Sequence, residues 1–197
     1  MRIIVITEPC FLPGEADAVA SLLDAGAWRV HLRKPGADEN DMRRLLAGIP
    51  ERYRSAISLH DCHGLAVQYG VGGVHVNSRN PGPPERYEGL VSCSCHSLSE
   101  VSSGKGRFDY MFLSPVFDSI SKKGYGSRFS MGELKDAAMK GIVDDKVFAL
   151  GGVSPDNIGL VREAGFGGAA VLGSVWGQYS EDGDAVALVR RLESLLR

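Results

Sequence analysis

Short runs of β-branched and aliphatic residues recur at nearly regular intervals along this chain, separated by amphipathic or polar stretches. The runs predict eight strands, over Arg2–Thr7, Arg29–Arg33, Ala56–His60, Gly73–Asn77, Leu90–His96, Tyr110–Phe117, Lys146–Gly151 and Ala169–Ser174. Between them, helical periodicity predicts helices over Ala16–Ala25, Glu39–Leu46, Leu65–Tyr69, Leu98–Val101, Met131–Met139, Pro155–Ala164 and Asp184–Leu196. In the last of these, Ala185, Leu188, Leu192 and Leu195 share one stripe, as an outer helix packed on a sheet requires. Ser154 reads as the N-cap of the sixth helix with Pro155 at its first position, and Gly26 and Gly165 read as C-caps. Alternating strands and helices predict a parallel sheet. The count of eight favours a closed (β/α)8 TIM barrel of the α/β class over an open doubly wound sheet. Because the helices after the third to fifth strands are short, the expectation is a small barrel with some shortened helices, residues 1–197 forming a single domain.

Two strand ends in the last third stop at glycine. One is Val147-Phe148-Ala149-Leu150-Gly151-Gly152-Val153; the other is Gly167-Gly168-Ala169-Ala170-Val171-Leu172-Gly173-Ser174. Bare backbone there lets N–H groups approach an anion, and two such ends after the seventh and eighth strands form the usual phosphate cradle of a barrel. Gly151, Gly152, Gly173 and Ser174 are therefore the candidate phosphate-binding residues, with Ser174 adding a hydroxyl. A net charge of −2 gives no electrostatic footprint for nucleic acid. No apolar run reaches the length of a membrane span, so neither nucleic acid nor membrane is an expected partner. The N-terminus reads as a first strand rather than a signal peptide, which makes the cytoplasm the expected location and keeps the four cysteines reduced.

Strand parity selects the side chains that face the barrel interior. On the fifth strand Ser92, Ser94 and His96 share one face, and Cys93 and Cys95 the other. With the polar set inward, His96 stands at the C-terminal mouth, where barrel active sites form and a neutral imidazole can shuttle protons; the competing reading is a hydrogen-bonded structural histidine. The same parity turns His31 and Arg33 inward on the second strand. Arg33 then offers a planar cation to phosphate, pyrophosphate or carboxylate, or alternatively an ion pair to an interior acid such as Asp61. Lys122 lies in a small, polar, glycine-containing loop, 118–127, that reads as a lid over bound ligand; the bland alternative is a solvated lysine. His75, with Asn77 on its face, reads as a structural residue filling a barrel layer. Cys93, Cys95 and His96 do not form a zinc site on this parity, and Cys62 between His60 and His63 lacks the paired Cys-x-x-Cys spacing.

Several stretches, in order, resemble the thiamine phosphate synthase/TenI family: His31-Leu32-Arg33, His60-Asp61, Gly73-Val74-His75-Val76, Ser94-Cys95-His96-Ser97-Leu98-Ser99-Glu100, Asp109-Tyr110 through Ser114-Pro115-Val116-Phe117 to Ser121-Lys122, Ala149-Leu150-Gly151-Gly152-Val153 and Gly168-Ala169-Ala170-Val171. The resemblance implies vitamin B1 biosynthesis, a small-molecule thiazole phosphate as ligand, and His96, Lys122 and Arg33 as catalytic residues. For the synthase reaction it also implies a pyrimidine pyrophosphate, Lys122 on that pyrophosphate, and Mg2+ held by acids after the third and fourth strands. A homodimer is the expected assembly.

The chain departs from the family pattern where the synthase needs it most. Asp61 remains, preceded by His60 rather than the familiar Asn. Asn80 stands where a second metal-binding Asp is expected, so Asp61 and Asn80 are metal candidates only for a synthase. Lys34-Pro35 follows Arg33 where the family has its lysine two residues on; Lys34 could reach the same volume, and Arg79 could replace metal charge. The TenI branch isomerises a thiazole carboxylate phosphate by metal-free proton transfer and needs no cofactor. These departures favour a TenI-like thiazole tautomerase; the alternatives are thiamine phosphate synthase, a non-catalytic binder of thiazole or thiamine phosphate, and, less favoured, another small phosphate-binding barrel.

Overall fold

In a computed structural model, which describes residues 1–118, 128–177, 179 and 184–197, eight parallel strands close into a barrel in simple sequence order. The strands are β1 Arg2–Ile6, β2 Arg29–Leu32, β3 Ile57–Leu59, β4 Gly73–Val76, β5 Leu90–Cys95, β6 Tyr110–Leu113, β7 Val147–Leu150 and β8 Gly168–Val171. Each pairs with the next, and β8 closes on β1 with Arg2 opposite Gly168. The helices are α1 Glu15–Asp24, α2 Glu39–Gly48, α3 Gly64–Tyr69, α4 Leu98–Gly104, α5 Met131–Met139, α6 Ile158–Glu163, α7 Gly173–Trp176 and α8 Ala185–Leu196. The barrel expected from the hydrophobic pattern is the one observed, with α3 and α6 at only 6 residues each. No helix among the described residues is long and apolar enough to cross a membrane.

Every strand stops short of its predicted C-terminal limit. Ladder pairing ends earlier, where the chain turns out towards the next helix. Arg33, His60, Asn77 and His96 thus sit just past their strands, at the rim. The sixth helix also starts late. Ser154 does not cap it: the Ser154 carbonyl accepts from Asn157 N (3.2 Å) and Ile158 N (3.0 Å), closing a turn. Asn157 Oδ1 takes the Ser154 N–H at 2.9 Å, and its Nδ2 donates to the Gly152 carbonyl at 2.8 Å. The side chain of Asn157 therefore stabilises the bend after β7, and α6 begins only at Ile158. Gly26 and Gly165 do follow their helices, at φ of +102° and +81°. The short α7 and a 3-10 turn at Glu51–Ala56 were not anticipated.

Two apolar layers hold the barrel. Outside it, Ile3, Val5, Val30, Leu32, Leu113 and their neighbours pack against the helices; Cys95 belongs to this layer, as parity requires. Inside it, Ile4, Ile6, Tyr110, Phe112, Phe148 and Ala170 pack together, with Trp28 stacked on Phe148 at 5.2 Å between centroids. At the C-terminal mouth polar side chains join this lining, and that is where the site forms.

One charge is wholly buried beside this frame. Lys34 Nζ lies 2.5 Å from Glu15 Oε1 and donates to the carbonyls of Glu8 (2.8 Å) and Cys10 (2.6 Å). Burial alone would neutralise both partners, pushing Glu15 up and Lys34 down; their mutual contact opposes both shifts. Glu15→Ala strands an ammonium without its counter-charge and should cost about 3 kcal/mol. Urea unfolding measures this, and the paired change Glu15→Leu/Lys34→Met should recover most of the loss.

Candidate active site

The mouth holds two adjoining cavities that share Arg33, Leu150 and Leu172 as a common wall. The first, about 500 Å³, is lined by Gly151, Gly152, Gly173, Ser174 and Glu8. Gly151 and Gly152 lie at φ +95° and +64°, and a Cβ on Gly152 would come within 2.2 Å of the Asp118 carbonyl oxygen. The left-handed bend therefore admits only glycine at this point. Among the described residues the N–H groups of Gly152, Gly173 and Ser174 have no acceptor outside their own elements, and all three residues line this space. Gly173 is different in kind, because a Cβ there meets open space. The Ser174 hydroxyl donates to the Val153 carbonyl and so is not the free donor expected from its position.

The second cavity, about 550 Å³, is lined by Arg33, His60, His75, Arg79, Ser94 and His96, among others. His96 is held at its backbone by its own motif and at its ring by the end of β6. Ser97 caps α4 by accepting the Glu100 N–H at 3.1 Å, and Glu100 Oε2 in turn accepts the His96 N–H at 2.7 Å. The ring Nδ1 lies 3.0 Å from the Ser114 carbonyl. A carbonyl only accepts, so the neutral ring carries its proton on Nδ1 and leaves Nε2 bare. Among the described residues nothing occupies Nε2. That is the geometry of a positioned general base, open to the cavity.

Arg33 is anchored by its backbone N–H on Thr7 Oγ1 (3.0 Å), and among the described residues its guanidinium has no partner. The ion pair to Asp61 does not form. Asp61 is taken instead by Arg79, whose Nε and a terminal nitrogen lie 3.0 and 2.9 Å from Oδ1. Asn77 builds this arrangement: its Oδ1 accepts the N–H groups of Arg79 (2.9 Å) and Asn80 (3.1 Å), curling the loop back over β3. Asn80 turns its Nδ2 towards the His60 carbonyl (3.2 Å) and Asp61 Oδ1 (3.5 Å).

This donor set does not fit Mg2+, which asks for anionic oxygens in near-octahedral array. A single carboxylate is present, a guanidinium already neutralises it, and Asn80 offers an N–H2 to it. The remaining Asp61 oxygen, Oδ2, is buried without a hydrogen-bond partner, enclosed rather than presented to the cavity. Lys34, considered for the pyrophosphate, is committed to Glu15 on the far side of β2. Lys122 and nearly all of the 118–127 loop lie outside the described residues.

The interior below the mouth contains a cluster that the sequence reading did not assemble. His31, His60 and His75 come from β2, the end of β3 and β4, and their ring nitrogens lie within 4.8 Å of one another. His75 bonds Ser92 Oγ (2.9 Å) and Ser94 Oγ (3.0 Å), and His60 stacks on His75 at 4.2 Å between centroids. Burial, reinforced by neighbouring imidazoles and arginines, pushes His31 and His60 well below the usual histidine range and His75 down to about 3. All three are neutral in the native protein. Parity applied jointly to neighbouring strands was the signal that could have found them.

Comparison with known proteins shows the family. A family model described as thiamine monophosphate synthase (TMP-TENI) matches residues 3–175. The chain is similar to the curated thiamine-phosphate synthase of Parasynechococcus marenigrum, at 28% identity over 89% of this chain and 52% of that protein. It is likewise similar to that of Erythrobacter litoralis, at 29% identity over 78% of each chain. The chain thus spans about half the length of the first of these relatives. Among solved structures, a thiamine phosphate pyrophosphorylase from Bacteroides thetaiotaomicron superposes with a TM-score of 0.91 at 37% identity, covering 100% of this chain and 96% of that one.

Proposed function

Because this chain belongs to the thiamine monophosphate synthase (TMP-TENI) family, we propose that it binds a thiazole phosphate at the glycine ends and isomerises a thiazole carboxylate phosphate by metal-free proton transfer. The observation that carries this reading is His96, whose Nδ1 is committed to the Ser114 carbonyl and whose Nε2 is left bare at the mouth. The phosphate would rest on the backbone donors of Gly152, Gly173 and Ser174. The ring would then extend across Arg33 towards His96. His96 Nε2 takes a proton from one carbon of the conjugated system, and the imidazolium returns one to its other end, so the net change is a shift of double bonds. Arg33 steadies the negative charge that accumulates between the two steps.

The Arg79–Asp61 pair supports the same choice, since it occupies the place at which a synthase would hold its metal. The synthase alternative rests on the names of the relatives. It is tested by mixing the protein with a pyrimidine pyrophosphate, a thiazole phosphate and Mg2+ and following pyrophosphate release. We expect none above background; Mg2+-dependent release would make the chain a synthase. Isomerisation, by contrast, should be unchanged when EDTA replaces Mg2+.

The cradle makes a separate prediction. Gly152→Ala places a Cβ against the Asp118 carbonyl in a left-handed bend, so the loop must move. Affinity for the thiazole phosphate should fall by roughly tenfold or more, the equivalent of about 1.4 kcal/mol. Gly173→Ala meets no neighbour and should bind within about threefold of the parent. Titration calorimetry on both variants separates the two positions.

A further inference from the structure

A hydrogen-bonded chain runs up the barrel interior and ends at the mouth. At its foot Arg29 Nη1 donates to the Ile57 carbonyl (2.8 Å) and to Ser58 Oγ (3.4 Å). Ser58 Oγ lies 3.2 Å from Tyr110 Oη, which lies 2.7 Å from His31 Nε2. His31 Nδ1 lies 2.9 Å from His60 Nε2. His60 is the top of the chain and lines the cavity that also contains Arg33, Arg79 and His96.

The direction of this chain is set at one end. A guanidinium only donates, so it takes a lone pair of Ser58. Ser58 is wholly shielded from water, and among the described residues Tyr110 Oη is the acceptor within reach of its proton. The rest follows link by link. Tyr110 also meets the Ser92 hydroxyl, but its short contact, 2.7 Å, is with His31 Nε2, and its proton goes there; His31 carries its own on Nδ1 and gives it to His60 Nε2; His60 then holds its proton on Nδ1. In the opposite direction the Ser58 hydroxyl proton would face no acceptor in a buried position, which incurs the full desolvation penalty of an unmade bond. Burial favours the neutral form of both His31 and His60, as these links require.

His60 is also held rigidly. Its carbonyl accepts from Asn77 Nδ2 (2.7 Å) and Asn80 Nδ2 (3.2 Å), and its ring lies within 17° of parallel to His75. That stacking argues against a three-histidine metal centre, because parallel rings do not converge their in-plane lone pairs on one ion. Both ring nitrogens of His31 and of His75 already have partners. Among the described residues, Nδ1 of His60 has none.

We propose that Arg29, Ser58, Tyr110 and His31 are positioning residues that fix His60 in its Nδ1–H form, so that this side of the mouth offers a hydrogen-bond donor to the carboxylate of the ligand. The assignment of that acceptor as a carboxylate rests on the proposed function; the fixed tautomer does not. With Arg33 beside it, the cavity recognises an anionic acceptor and disfavours a ligand that presents an N–H there.

Long-range proton–nitrogen NMR spectra of the ligand-free chain, labelled with 15N in its histidine rings, read the tautomer directly. The His60 signals are assigned by their loss in His60→Gln. We expect Nδ1 to be the protonated nitrogen and Nε2 the bare one, and Tyr110→Phe to move both signals towards averaged values. Calorimetry with two probes then tests the consequence: the thiazole carboxylate phosphate, and the same thiazole phosphate without its carboxylate. The parent should favour the carboxylate by about tenfold or more, as a charge-assisted hydrogen bond warrants. Tyr110→Phe should lose most of that preference while keeping its affinity for the second probe, which also shows that the variant is folded. A parent His60 protonated on Nε2, or signals unmoved by Tyr110→Phe, overturns the relay. Equal affinity of the parent for the two probes overturns the carboxylate assignment. A correct tautomer in a chain without isomerase turnover would instead refute the proposed function and leave the relay standing.

Discussion

Replacing His96 with alanine should lower the rate of thiazole carboxylate phosphate isomerisation by roughly a hundredfold to ten-thousandfold, the range that a positioned acid–base group contributes. Binding should change little. On the proposed reading the phosphate end would be held by backbone donors at Gly152, Gly173 and Ser174, and none of them depends on the imidazole. His96 is on the rim rather than in the core, so its removal creates no cavity and stability should be close to that of the parent. The signature is therefore a fall in kcat with KM nearly constant. His96→Gln is a sharper control, since its amide can still reach the Ser114 carbonyl but has no basic nitrogen. It should be as inactive as the alanine variant. If both variants turn over at the parent rate, His96 only orders the rim and the base is elsewhere. If binding collapses together with turnover, His96 is a ligand contact first.

The second large effect concerns acid. His31, His60 and His75 are buried neutral, with folded-state pKa values pushed below the histidine reference and His75 down to about 3. Arg29, Arg33 and His63 face the cluster and push in the same direction as burial. In the unfolded chain each ring titrates near 6.5. Between these limits the unfolded state binds more protons than the native state, so stability falls as pH falls. It is fully present above about 6.5 and erodes by up to about 1.4 kcal/mol per pH unit for each ring below that. At pH 5 His75 alone removes about 2 kcal/mol relative to pH 7, and His31 and His60 act in the same direction. Urea midpoints at the two pH values measure this. His75→Gln keeps amide contacts to Ser92 and Ser94 while removing one titrating group, and should flatten the slope. Equal midpoints at pH 5 and 7 would mean that the cluster is solvated or protonated in the native chain.

The fold was legible because its signals are local. Each strand carries its own β-branched run, the C-cap glycines follow their helices, and parity along β5 assigns Ser92, Ser94 and His96 to the interior without reference to any other strand. Gly151 and Gly152 were legible for the same reason: a left-handed bend writes itself into the sequence as glycine. What escaped depends on pairing across the barrel. The Arg79–Asp61 contact requires Asn77 to curl the loop after β4 back over β3, and nothing within residues 77–80 states that by itself. Lys34 looked available to a ligand because it lies one residue from the position of the family's lysine; the buried Glu15 that claims it belongs to α1. Ser154 has the composition of a cap, yet Asn157 outcompetes it for the turn. The three-histidine cluster depends on register, with His31 level with Ser58 so that His60 stands one layer higher.

The central claim is that this barrel moves a proton on a thiazole carboxylate phosphate without metal. Proton NMR of that compound in deuterated buffer, with purified protein and excess EDTA, tests it most directly. The account predicts that the isomer forms and takes up solvent deuterium, at the same rate after Mg2+ is restored and not at all with His96→Ala. No isomer in EDTA, with turnover appearing only when Mg2+ and a pyrimidine pyrophosphate are supplied, would contradict it.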